Sequence, residues 1–93
     1  MNAVNRKVLL DVLDKYIPRL VASGIVFVRH PEFDLDTASE GRVYRYIRAL
    51  KVHLRVLRKS CADDEMLVSN ISNFNADISA VALGANPPYL SAS

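Results

Sequence analysis

The residues of this chain that could do chemistry form a row of basic side chains in its middle. Residues 37–60 include seven Lys or Arg residues and a single acid, Glu40. If the segment is a helix, six of these cations and one tyrosine fall on one broad arc. The candidate binding residues are Arg45, Arg48, Lys51, Arg55, Arg58, Lys59 and Tyr44. Arginines along a helix can neutralise nucleic-acid phosphates or pair with the carboxylates of an acidic protein.

The rest of the chain does not share the positive charge of this basic segment. Residues 1–36 are balanced in charge, residues 61–93 have four acids and no base, and the net charge is only +2. We therefore expect a small regulatory or adaptor protein that acts by protein–protein interaction. Nucleic-acid binding by the basic face of the helix at 42–59 is the alternative.

No residues have the spacing of a catalytic or metal site. His53 has no serine or cysteine partner at a recognisable spacing, and Cys61, the single cysteine, allows neither an intramolecular disulfide nor a cysteine zinc cage. The alternating acids of 30–36 lack the glycine and the distal glutamate of a calcium loop. We expect no enzyme activity, no cofactor and no metal.

Apolar residues at helical spacing predict two long helices, about 38–59 and about 64–83. Their stripes are Val43, Ile47, Leu50, Leu54 and Leu57, and Leu67, Ile71, Phe74, Ile78 and Val81. On one straight helix the two stripes would point about 120° apart. A turn near 60–63 lets them face each other, so we predict an antiparallel helical hairpin. Thr37 with Glu40 predicts a capping box at its start.

A third amphipathic pattern predicts an N-terminal helix at about 3–23, packed on the hairpin. Pro18 lies inside it, so we expect a kink or a restart there. The fold class is therefore mainly α, a small helical bundle. We expect a single helical domain at 1–85 and a C-terminal tail at 86–93.

The segment 25–28, Ile-Val-Phe-Val, has the composition of a short β-strand. Three interpretations stay open: it forms a hairpin with a second strand near Phe33 and Leu35, it pairs with another copy of the chain, or it is not a strand. The unpaired strand and the low charge of 64–83 predict a homodimer. The candidate interface residues are Ile25, Phe27, Asn70 and Asn73.

The two ends of the chain add expectations about location and recognition. Acids interrupt the apolar run near the N-terminus, and no run reaches the ~20 apolar residues of a membrane span. We expect a cytoplasmic protein that does not enter a membrane. The Asn-Pro-Pro-Tyr sequence at 86–89 fits a short binding motif or a stiff tail with Tyr89 and Leu90 packed on the bundle or on a neighbouring subunit.

Overall fold

A computed structural model describes residues 3–26 and 34–91 of the chain. Within these residues there are three helices, α1 (Arg6–Ala22), α2 (Glu40–Ser60) and α3 (Glu65–Ala82), and no strand. Helix α3 packs against both α2 and α1, so the last helix is the central one. The predicted helical bundle and its antiparallel hairpin are confirmed.

Each helix begins with a side chain that caps a backbone amide. The side chains of Asn5, Ser39 and Asp64 accept hydrogen bonds from the amide three residues further on, at 3.1–3.3 Å. The predicted capping box at Thr37 is wrong by two residues. The amide of Thr37 instead donates to the carbonyl of Asp34 in a preceding turn, so α2 begins only after Ser39.

Helices α1 and α3 end in the same glycine motif. Gly24 and Gly84 have φ values of 89° and 74°, a left-handed conformation that disfavours residues with a Cβ. In α1 the amide of Gly24 donates to Val21, and the amide of Ile25 reaches back to Leu20 at 3.1 Å. These two bonds define a Schellman motif.

This motif decides against a strand at Ile25 and Val26, which was one of the three interpretations open for 25–28. The amide of Ile25 closes the end of α1, and its half-buried side chain packs against the core. Ile25 and Val26 are therefore in the irregular segment after the helix rather than in a strand. Phe27, Val28 and Phe33 lie outside the described residues. Leu35 is buried in the turn before α2, so the second strand proposed there is not found at that residue.

Helix α1 continues through Pro18 instead of restarting there. Proline at this position removes one hydrogen bond, from residue 18 to the carbonyl of Asp14. Both Pro18 and Asp14 are exposed, so water can satisfy that carbonyl. The buried residues of α1 come from both sides of the proline, with Tyr16 before it and Leu20 after it.

One core fills the space between the helices, and it contains the residues that the apolar stripes predict. Leu50 and Leu54 of α2 are buried against the hairpin partner α3. Ile71, Phe74 and Ile78 of α3 are also buried. The polar link between the starts of α1 and α2 is an ion pair of 3.2 Å from Arg6 to Glu40. Among the helices of the described residues, only α3 packs closely against α2, and the opposite side of α2 is exposed.

Candidate partner-binding surface

The outward side of α2 presents the basic residues that the sequence singles out. We call Arg45, Arg48, Lys51, Arg55, Arg58, Lys59 and Tyr44 the basic face. Five of these side chains are exposed, whereas Lys51 and Tyr44 are half-buried at its edge. The core stripe of Val43, Ile47, Leu50 and Leu54 fixes the rotation of α2 and so turns the basic face away from α3.

The six cations of the basic face form no ion pair within residues 3–26 and 34–91. The acids closest in sequence lie in the turn after α2 and at the start of α3, where the side chain of Asp64 caps that helix. Glu40, the one acid on α2, pairs with Arg6 instead. Within the part of the chain that the structure describes, no ion pair therefore neutralises the basic face.

Two valines lie among these cations, and the sequence analysis missed them. Val52 and Val56 expose 53% and 57% of their surface. Val52 points about 180° away from the core residue Val43. The signal was present in the spacing, because Arg45 and Lys59 lie seven residues before and after Val52. The basic face therefore has an apolar patch along one edge.

Two shallow grooves run along this side of α2. The larger, about 380 Å³, lies between Tyr44, Arg48 and Val52 of α2 and Ala82 of α3. The smaller, about 280 Å³, lies beside Arg58 and Lys59. Arg55 lines both grooves, so they form neighbouring parts of one elongated surface.

The candidate dimer-interface residues are in different environments. Ile25 is half-buried against the core of its own chain, and Phe27 lies outside the described residues. Asn70 and Asn73 are half-buried on α3. They point within about 40° of Asp77, which contacts α1. The low charge of α3 thus has an explanation within one chain, since this helix packs against helices on two sides.

A polar cluster at the α1–α3 contact is the second feature that the sequence analysis missed. The side chain of Asp77 is 0% exposed. Its Oδ2 accepts a hydrogen bond of 2.7 Å from the hydroxyl of Tyr16. The ring of Tyr16 stacks on Phe74 at a centroid distance of 4.9 Å. Asp77 is the one charged residue of α3 beyond its first turn, and this position at core spacing was the available signal.

The same cluster holds the C-terminal segment against the bundle. Oδ1 of Asp77 accepts a hydrogen bond from the amide of Tyr89, and Nζ of Lys15 donates to the carbonyls of Tyr89 and Leu90. Leu90 packs against the core. Burial, and then the hydrogen bond to Asp77, raise the pKa of the Tyr16 hydroxyl above its ordinary value. Tyr16 therefore stays a neutral donor to the carboxylate.

The remaining candidate residues do not form a reactive site in the part of the chain that the structure describes. Cys61 is half-buried against the core, and His53 is exposed on α2. Among residues 3–26 and 34–91 there is no cluster of three metal-ligating side chains. In those same ranges, no helix combines the length and apolar character needed to span a bilayer.

Comparison of the chain with protein-family models, with curated proteins and with solved structures finds no match. The arguments about function therefore depend on the chain's own geometry.

Proposed function

We propose that this chain is a small cytoplasmic regulatory or adaptor protein that binds an acidic protein partner through the basic face of α2. The observation that supports this most is the combination of six cations, which form no ion pair within residues 3–26 and 34–91, with two half-exposed valines beside them. Protein–protein interfaces commonly have an apolar centre that loses its water and a polar or charged rim.

Nucleic-acid binding by the same face is the competing function. Exposed arginines such as Arg48 and Arg55 suit phosphate contacts. Contacts to phosphates alone, however, would leave Val52 and Val56 without an apolar surface to cover them. The apolar patch beside the cations therefore favours a protein partner.

The test compares charge reversal on the face with an equal reversal elsewhere. Arg48→Glu with Arg55→Glu changes the face, whereas Lys7→Glu with Arg42→Glu makes the same change of net charge at exposed positions away from it. Neither pair touches the core, so both variants should keep the wild-type melting temperature. We expect the first variant alone to lose an acidic protein that wild type retains in pull-downs from the native host.

Nucleic acid distinguishes the two functions directly. If the basic face binds a duplex through about four cations, log K should fall with log salt at a slope of about −3 to −4. We expect only weak duplex binding near physiological salt, about 150 mM. Tight, salt-sensitive duplex binding that the Arg48 and Arg55 reversal abolishes would contradict the proposed protein-binding function.

We also propose a homodimer, although two of the features that predict it are explained by contacts within a single chain. The packing of α3 between two helices explains its low charge without a second copy. The backbone amide of Ile25 likewise donates its hydrogen bond within its own chain. The remaining support is the apolar side chain of Phe27, which lies outside the described residues, and the small size of the core.

A further inference from the structure

Helix α2 has a second stripe, opposite to the one that builds the core. We call Arg45, Arg48, Val52, Arg55, Val56 and Lys59 the outward stripe. Most neighbouring members are three or four residues apart and Arg55 and Val56 are adjacent, so at 100° per residue the stripe falls within an arc of about 100° along one side of the helix. The core stripe has the same spacing and packs against a helix, α3. A row of this kind fits the face of another helix.

The outward stripe has the length of a helix–helix contact. From Arg45 to Lys59 it covers fifteen positions, which is about 21 Å along the axis of α2, or about four turns. The two grooves follow the same side of the helix and share Arg55. Grooves beside a ridge of side chains are where the ridges of a packed helix lie.

Charge complementarity identifies the chemistry of this second helix. Val52 and Val56 favour apolar residues on the partner, and the neighbouring cations favour carboxylates beside those apolar residues. A second copy of α2 is excluded as the occupant, because two basic faces in contact would place like charges together. An acidic amphipathic helix satisfies both requirements.

We propose, resting on the protein-binding function above, that the partner presents an acidic amphipathic α-helix which docks lengthwise on the outward stripe of α2. Its apolar residues cover Val52 and Val56, and its carboxylates pair with Arg45, Arg48, Arg55 and Lys59. The helix needs about four turns to use the whole stripe.

The experiment uses the full chain and two synthetic peptides of identical composition. The first has three heptads with leucine at the two seam positions and mainly glutamate elsewhere. The second contains the same residues in an order without helical periodicity. Fluorescence anisotropy near physiological salt, about 150 mM, measures affinity. Circular dichroism measures helix formation. We expect the periodic peptide to gain helix on binding and to bind at least about tenfold more tightly than the scrambled one.

Two variants separate the apolar contribution from the charge. Val52→Asn with Val56→Asn leaves the charge unchanged at exposed positions, and we expect it to weaken the periodic peptide about tenfold. Arg48→Glu with Arg55→Glu should abolish binding of both peptides. Equal affinity for the two peptides, or no effect of the valine changes, would overturn the helix proposal while an acidic protein partner remained supported. If the arginine reversal had no effect on the peptides or on the host partner, both proposals would fail.

Discussion

The buried carboxylate of Asp77 accepts a hydrogen bond of 2.8 Å from the backbone amide of Tyr89, twelve residues further along the chain. Its other oxygen accepts the hydroxyl of Tyr16. One side chain of the central helix therefore joins α1, α3 and the C-terminal segment. A charge buried this completely is tolerated only when its hydrogen-bonding capacity is used.

Asp77→Asn should destabilise the fold by about 1.5–3 kcal/mol, because an amide cannot accept hydrogen bonds from Tyr16 and Tyr89 on both of its polar atoms. Urea denaturation followed by circular dichroism measures the loss. Asp63→Asn is the matched control, since Asp63 is exposed in the turn between α2 and α3. A midpoint for Asp77→Asn equal to that of the control would refute the structural role of the carboxylate.

The raised pKa of Tyr16 predicts a loss of stability at alkaline pH. Burial and the bond to Asp77 favour the neutral hydroxyl in the folded state, so its contribution is complete below the ordinary pKa of 10.0. The contribution disappears as the pH rises above that value towards the raised pKa of the folded state. We expect Tyr16→Phe to be less stable than wild type at neutral pH and to lose less stability above pH 10.0.

Denaturant titrations at several alkaline pH values give this comparison. Tyr89→Phe is the control, because its side chain is exposed while its backbone amide, which bonds to Asp77, is unchanged. This control should retain the wild-type pH dependence. Parallel curves for wild type and Tyr16→Phe would show that Tyr16 does not cause the alkaline loss.

Replacement of glycine by alanine should have opposite effects on stability at Gly24 and at Gly41. Gly24→Ala should destabilise the protein by about 1 kcal/mol, because a Cβ is unfavourable at its positive φ although no atom lies within 4 Å of that Cβ. Gly41→Ala should stabilise it by about 0.5–1 kcal/mol, because Gly41 lies in α2 and its Cβ also meets open space.

Thermal melts of the two alanine variants beside wild type provide the measurement, and each variant serves as the other's control. A melting temperature of Gly24→Ala equal to or above that of wild type would contradict the left-handed helix end at Gly24, and a lowered one for Gly41→Ala would contradict the prediction for α2.

The mass of the protein in solution tests whether it forms a homodimer. Size exclusion with light scattering at micromolar concentration should give about twice the chain mass of 10.4 kDa. Phe27→Ser should shift the mass towards one chain, whereas Val21→Ser, at an exposed apolar position of α1, should not. One chain mass at all concentrations for wild type would remove the dimer from the proposal.

Much of the fold could be predicted because the core stripes repeat with helical spacing. The stripe through Leu50 and the stripe through Phe74 specified both the helices and the turn between them, and Asp64 marked where α3 begins. Local signals of this kind are contained in a few adjacent residues.

What could not be predicted depends on contacts that are distant in sequence. Asp77 lies at core spacing, but its hydrogen-bond partner Tyr16 is 61 residues away and no local pattern identifies it. Ile25 is followed by residues typical of strands, but its backbone amide donates a hydrogen bond in the helix end that contains Gly24. The spacing places Val52 opposite the core stripe, but its exposure also depends on the position of α2 at the edge of the bundle.

The central position of α3 has a consequence for the order in which the chain folds. Helices α2 and α3 are joined by a turn of a few residues, so closing their contact costs little loop entropy. Helix α1, in contrast, packs against α3, and the whole of α2 separates these two helices in the sequence. We expect the hairpin to form first and α1 to dock afterwards. Backbone amides of α1 should then exchange with solvent deuterium earlier than those buried in the hairpin, as α1 detaches while the other two helices stay together.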